Sequence, residues 1–230
     1  AEVVAQKERL QQQHNELKTE KTKSDELLLN ILPGEIAEEL KETGQTIARQ
    51  YHQVSVLFTD FVGFTQAAEK MTPQELVDEL HVCFRIFDEI ISRYRIEKIK
   101  TIGDAYLAVC GLPQADENHA INTVKAAIEI RNFMLERRAQ LGDKTFEIRI
   151  GINSGSVVAG IVGIKKFAYD IWGDTVNIAA RMESSSERGK INISEATWQL
   201  VNDTFRSTPR GLVGAKNKGE MPMYFVEEIL

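Results

Sequence analysis

Two runs of β-forming residues in this chain stop at a carboxylate, and that pattern limits its possible folds more than any other. Val54-Ser-Val-Leu-Phe-Thr-Asp60 is β-branched and aromatic, and it is followed by Gly63 and an amphipathic helix. The stretch from Tyr94 to Cys110 reads as two strands joined by a tight turn at Gly103-Asp104. If the first strand, the helix and the strand before Asp104 make one right-handed crossover, both strands run the same way. Asp60 and Asp104 then finish on the same edge of a sheet. Two carboxylates so placed repel unless one is protonated or a cation bridges them. Hard divalent ions such as Mg²⁺ take oxygen ligands and share them with phosphates. The alternative is that each Asp caps the turn or helix after it, and spacing alone leaves both readings open.

The rest of the pattern extends this unit. Thr72-Pro73 starts a helix with Thr as cap and Pro at the first position, and Leu76, Leu80, Phe84, Phe87 and Ile91 form its expected buried stripe. A second helix is predicted from Asp116 to about Gln140, with Ile121, Val124, Ile128 and Leu135 on one face. Phe146, Ile148, Ile150 and Ile152 alternate with polar residues, and Ser154-Gly155 is predicted to turn the chain into Val157 to Val162 as a further hairpin. Strand, helix, hairpin, helix, strand is an α+β, ferredoxin-like βαββαβ core. Extra C-terminal elements follow: a helix from about Thr175, a strand near Ile191, a short helix from Ala196 to Val201 and a closing strand from Met223 to Glu227.

Ahead of the core, residues 1–32 contain neither Gly nor Pro, so a long helix is predicted there. Val3, Leu10, Leu17, Ser24 and Ile31 recur every seven residues. This is the seam of a weak parallel coiled coil, or else a solvated charged helix; the period fits both. Pro33 breaks the helix and a second short one follows. The expected organisation is a long helix over 1–32, a linker over 33–50 and a globular domain over 51–230.

A net charge of −6 argues against a general nucleic-acid binder. Cys83 and Cys110 sit in apolar patterns and read as reduced core residues, which favours a cytosolic setting. No apolar run is long enough to cross a bilayer, and the N-terminus lacks a signal-peptide pattern. A start in mid-helix character without Met reads as the downstream part of a longer chain, with a sensory or membrane domain expected upstream.

Three longer phrases carry a resemblance. Phe58-Thr-Asp-Phe-Val-Gly-Phe-Thr65, Glu97-Lys-Ile-Lys-Thr-Ile-Gly-Asp-Ala-Tyr106 and Tyr169-Asp-Ile-Trp-Gly-Asp-Thr-Val-Asn-Ile-Ala-Ala-Arg-Met182 closely resemble the catalytic domains of the class III nucleotidyl cyclases, the adenylate and guanylate cyclases. Asn30-Ile-Leu-Pro-Gly-Glu-Ile-Ala-Glu-Glu-Leu40 is similar to the family's transducer element, which tips the N-terminal helix towards a coiled coil. The resemblance implies cyclisation of a nucleoside triphosphate: the ribose 3′-hydroxyl attacks the α-phosphorus and pyrophosphate leaves. It implies two divalent metal ions, Mg²⁺ or Mn²⁺, held by Asp60, Asp104 and the Phe61 carbonyl, with Phe64 and Thr65 at a helix N-terminus that can hold phosphate oxygens.

The same resemblance places Lys100 and Asp170 as the base-reading pair, Asn177 as the ribose-positioning residue and Arg181 as the group that stabilises charge on the pentavalent phosphorus. A Lys can donate to adenine N1 and an Asp can accept from its exocyclic amine, whereas guanine presents the opposite pattern. ATP is therefore the expected substrate; guanylate or dual specificity and a non-catalytic dimerisation or nucleotide-sensing module are the alternatives. Lys165 and Lys216 match positions that touch the β- and γ-phosphates. Many members have Arg in place of Lys165, and Asn217 replaces a Gly, which leaves Lys216 and Lys218 both open as the contact. The family's composite sites imply a head-to-tail homodimer, its metal Asp residues from one protomer and its base-reading and Arg residues from the other.

Overall fold

The computed structural model describes residues 2–163, 167–215 and 219–230. They divide into two compact units, one of residues 1–47 and 160–169, the other of 48–159 and 170–230.

In the first unit, α1 (Glu2–Leu29) is the long helix its composition demands, and α2 (Gly34–Thr43) follows the break at Pro33. Gly44 ends α2 in the left-handed region at φ 74° and returns its N–H to the Leu40 carbonyl. An ion pair of 2.6 Å between Lys41 and Asp25 ties the two helices. Along α1 the heptad residues Val3, Leu10 and Leu17 are 78%, 60% and 70% exposed.

The other elements are β1 (Arg49–Val62), α3 (Phe64–Ala68), α4 (Pro73–Arg93), β2 (Ile96–Ile102), β3 (Ala105–Cys110), α5 (His119–Leu141), β4 (Glu147–Val162), β5 (Ala168–Trp172), α6 (Asp174–Ser184), β6 (Ile191–Ser194), α7 (Glu195–Val201), β7 (Phe205–Ala215) and β8 (Gly219–Ile229). Seven strands lie in the order β2-β3-β1-β4-β6-β8-β7. β1 and β2 each pair antiparallel with β3 and so run parallel to each other, which is the crossover expected from the sequence. The first four strands make the ferredoxin-like core; β6, added parallel to β4, and the β8–β7 hairpin extend it. Phe61, Phe87, Tyr106, Ile130, Phe146, Ile150 and Ile152 belong to one buried cluster. Phe61 stacks on Phe146 with ring centres 4.7 Å apart.

The start of α4 is as expected: the Thr72 side chain accepts from the Glu75 N–H and Glu75 reaches back, a complete capping box, with Pro73 at the first turn. Its buried stripe is shifted from the expected one. Phe87 and Ile91 are buried, but Leu76, Leu80 and Phe84 only flank the core, and the centre runs through Glu79, Cys83 and Ile90. On α5, Val124 is buried while Leu135 is half exposed; the covered face carries Ala120, Ala127, Ile130 and Met134 instead.

The hairpin expected at Ser154-Gly155 does not form. β4 runs unbroken through both residues, with Val54 opposite Gly155 in its ladder with β1. A bulge between Tyr51 and Val54 takes up the irregularity. Gly155 is needed for close approach and not for a turn, since a Cβ there would stand 2.6 Å from Thr175 Oγ1. Cys83 and Cys110 are free and buried, as expected. Among the described residues no helix is long and apolar enough to cross a membrane.

Candidate active site

The β-sheet brings the two strand-end carboxylates together. Thr59 pairs with Tyr106 in the β1–β3 ladder, so the next residues towards the tip are Asp60 and Phe61 on one side and Ala105 and Asp104 on the other. Gly103, at φ 63°, makes the tight turn that leaves Asp104 at the hairpin end. Asp104 accepts from the Phe61 backbone N–H, yet its carboxyl is held above the ordinary Asp range, first by burial and then by the charge of Asp60.

Two further residues complete this cluster, and neither was singled out from the sequence. Arg149 lies directly opposite Asp60 in the β1–β4 ladder and donates from Nη2 to Asp60 Oδ2 at 2.7 Å. Its Nε donates to Glu183 Oε1 at 2.5 Å. Glu183, buried near the end of α6, is raised above the usual Glu range by its burial; Arg149 opposes that shift, and Asp60 and Asp104 add to it. Alternation in Glu147-Ile-Arg-Ile150 does place Arg149 opposite the apolar face, but only the ladder register shows that it meets Asp60.

Asp60 and Glu183 share the Arg149 guanidinium while Asp104 stands beside Asp60, an excess of negative charge that a cation would relieve. Among the described residues no group of three or more His, Cys, Asp or Glu side chains is arranged to hold a metal ion. Asp60 and Asp104 offer two carboxylates, which matches the way Mg²⁺ binds through one or two carboxylates and completes its shell with water and substrate phosphates.

Elsewhere in the same unit, Lys100 and Asp170 meet. Lys100 stands just past a bulge in the β2–β3 ladder, and its Nζ donates to Asp170 Oδ2. The other oxygen, Oδ1, accepts from the Ile171 N–H at 2.9 Å, which fixes the carboxylate plane. Asn177 and Arg181, four apart on α6, leave the helix on one side; Asn177 is exposed and Arg181 half-buried. Neither has a side-chain partner among the described residues. Gly63, at φ 70°, opens α3, where Phe64 packs on the Phe146 ring and Thr65 is exposed.

The expected residues thus fall into separate groups. Asp60, Phe61 and Asp104 lie together, as do Lys100 with Asp170 and Asn177 with Arg181. Among the described residues no hydrogen bond or ion pair joins Lys100 or Asp170 to Asp60 or Asp104, and Glu183 of α6 is linked to Asp60 by the ion pairs that both make with Arg149. Lys165 and Lys216, with Lys218, lie outside the described residues.

Comparison with known proteins supplies the context for these groups. The family model described as the adenylate and guanylate cyclase catalytic domain matches residues 46–228. A second model, described as heme NO binding associated, matches residues 1–40. An adenylate cyclase of Mycobacterium tuberculosis is 37% identical over 211 residues, covering 91% of this chain and 47% of the relative. Guanylate cyclase 32E of Drosophila melanogaster is 39% identical over 224 residues, covering 94% of this chain and 19% of the relative. The chain thus spans less than half the length of these relatives. Among solved structures, the guanylate cyclase domain of RhGC from Catenaria anguillulae in complex with GTP is 34% identical, with a TM-score of 0.75 over 79% of this chain and 100% of that one. By its matched length, its sheet and its motifs, this chain belongs to the class III adenylate and guanylate cyclase catalytic domain family.

Proposed function

We propose that this domain is an adenylate cyclase, forming 3′,5′-cyclic AMP and pyrophosphate from ATP. The observation that carries the choice of base is the Lys100–Asp170 pair: residues 70 apart in sequence come together as a donor beside an acceptor. Adenine offers an acceptor at N1 and a donor at its amine, so both partners are met. Guanine would leave the Lys against an N–H and the Asp against a carbonyl, two unpaired groups whose cost is large in a desolvated pocket. Relatives of similar identity include both adenylate and guanylate cyclases, so likeness alone does not choose.

Class III cyclases use divalent metals in general, and Asp60, Asp104 and the Phe61 carbonyl are the groups of this chain that would hold them. When bound, such ions lower the pKa of the attacking 3′-hydroxyl and neutralise charge on the phosphates. Arg149 donates to Asp60 and so orients its carboxylate at the strand tip. Asn177 orients the ribose so that its 3′-oxygen lies in line with the α-phosphorus, and Arg181 donates to the oxygens that gain charge there. Thr65 and the amides that open α3, with Lys165 and either Lys216 or Lys218, hold the phosphate tail.

Asn177 and Arg181 have no partner among the described residues of their own protomer, which supports a head-to-tail homodimer in which they serve the partner's metal cluster. The exposed heptad of α1 supports a parallel coiled coil between two copies of that helix. Its likeness to a heme NO binding associated segment supports regulation by a domain upstream in a longer chain, acting through that helix in the cytosol.

The test is product analysis with ATP and with GTP, each with Mg²⁺ and with Mn²⁺. Cyclic AMP from ATP with either metal, and little cyclic GMP, is the expected result. A preference for GTP would reverse the assignment of the base pair, and no product from either nucleotide would favour a sensing module.

A further inference from the structure

The helix that carries Asn177 and Arg181 is held unusually close to the sheet, at both ends. A Cβ on Gly151 would stand 1.9 Å from the Glu183 backbone nitrogen, and one on Gly155 2.6 Å from Thr175 Oγ1. Only glycine at these two β4 positions lets α6 lie where it does. Between them, on the same strand face, Asn153 donates from Nδ2 to the Thr175 carbonyl at 3.0 Å. Beside Gly151 in the parallel ladder stands Asn192 of β6, whose Nδ2 donates to the Met182 carbonyl at 2.8 Å.

Both amides are buried, at 3% and 0% exposure for Asn153 and Asn192. The carbonyls they hold are seven residues apart, two turns of helix, and Asn177 and Arg181 lie between them. Asn153 cannot turn its amide over at little cost, because Ser194 Oγ donates to its Oδ1 at 2.6 Å. Ser194 is itself fixed as the N-cap of α7, where it accepts from the Thr197 N–H. From Thr197 the buried chain of hydroxyls continues through Ser154 and Ser55 to His119, at 3.0, 2.6 and 2.8 Å. A rotated Asn153 would leave a buried donor and a buried acceptor without partners.

An apolar contact would hold α6 to the sheet without specifying its axial position or rotation, because hydrophobic attraction has no direction. Two directed bonds to backbone carbonyls specify both. We propose that Asn153 and Asn192 are positioning residues that set the register of α6, so that Asn177 and Arg181 meet the ribose and the α-phosphate. This deepens the cyclase reading and rests on the roles it gives to those two side chains.

The test uses the full chain with Asn153→Ala and Asn192→Ala, beside Arg181→Ala. Steady-state kinetics with ATP are read together with amide hydrogen exchange. Displacement of a catalytic group by about 1 Å can cost on the order of 100-fold in rate. Each Asn variant is therefore expected to lose about 10- to 100-fold in kcat, with KM for ATP within about threefold, since base and phosphates are held elsewhere. Exchange should quicken in α6 and stay unchanged in β1 and β3. A kcat within about twofold of the parent in both Asn variants, while Arg181→Ala abolishes turnover, overturns the proposal. So does exchange that quickens across the whole sheet.

If Arg181→Ala itself leaves turnover intact, the cyclase reading of that residue falls, and α6 exchange alone then judges whether the two amides hold the helix. Should an alanine variant fail to fold, Asn153→Ser and Asn192→Ser, which keep a short buried donor, are read by the same two measurements. If neither serine variant folds, the role is structural only and the proposal is overturned.

Discussion

Two arginines of this domain sit against buried acids, and their surroundings differ in one respect. Arg137 forks onto a single carboxylate, Glu79, donating from Nε and Nη2 at 2.7 and 2.5 Å, and Thr145 Oγ1 donates to the same group at 2.5 Å. Burial would raise Glu79, but Arg137 and Thr145 outweigh it and hold the acid below its ordinary value. Arg149 faces Asp60 and Glu183 with Asp104 close by, and there Asp104 and Glu183 are raised. One cluster is balanced and the other carries surplus charge. A balanced cluster only holds the fold together. A surplus is repulsive, and it is the arrangement that the proposed divalent ions would relieve.

The most severe way to break this contrast is to split the proposed site between protomers. Asp60→Ala removes a member of the overcharged cluster and Arg181→Ala removes a cation of α6 that has no side-chain partner among the described residues, so each should lose several orders of magnitude in turnover. Mixed in equal amounts, half of the dimers are mixed, and each of those has one intact site of two. Recovery of about a quarter of parental activity is expected on that arithmetic. No recovery would place both groups in one protomer's site and remove the head-to-tail dimer. Glu79→Gln, in the balanced cluster, should leave turnover per folded molecule unchanged.

A smaller effect is expected from the base-reading pair. Lys100→Glu with Asp170→Cys removes the donor and acceptor matched to adenine and puts an acceptor opposite guanine N1–H and a thiol donor opposite its carbonyl. The ratio of kcat/KM for ATP over GTP should fall by at least about 100-fold. A ratio that stays put would mean that neither side chain touches the base.

Much of this arrangement can be read from the residues before any coordinates. The β-branched run to Asp60 and the hairpin at Gly103 announce two strand ends, and the right-handed crossover rule is enough to bring them to one edge. Arg149 stayed hidden because its meeting with Asp60 depends on a register that alternation cannot supply. Glu79 was missed because a charged residue inside a helical stripe reads as an interruption, although its partner on α5 makes it part of the core. Gly155 misled because glycine serves tight turns and close packing alike, and only the position of Thr175 decides between them. The Lys100–Asp170 meeting came from family likeness alone; nothing local in either segment points to the other.

Stability sharpens the contrast further. Breaking a buried pair by removing one charge costs about 3 kcal/mol or more, so Glu79→Gln should lower Tm by about 6–12 °C in a domain of this size. The pH dependence has a definite sign. Because the folded-state pKa of Glu79 lies below its ordinary value, its contribution is present above the unfolded pKa and is lost as pH falls through the folded one. The gap between parent and Glu79→Gln should therefore be full at neutral pH and close in acid, as followed by thermal melts. A gap independent of pH would show that Glu79 acts through packing and not through its charge.

The smallest effect separates the two clusters most cleanly. At a Mg²⁺ concentration about ten times its Kd, a bound ion adds about 1.4 kcal/mol to the native state, or a Tm rise of about 3–6 °C. Asp104→Asn should abolish that rise. It should also make the metal-free protein no less stable than its parent, since it takes charge out of a cluster that already has too much. Glu79→Gln should melt lower yet keep the full Mg²⁺ increment, because its cluster has no surplus for a cation to relieve. If Asp104→Asn melts well below the parent without metal, the charge at the strand tips is already compensated, and the distinction between the two arginines disappears with it.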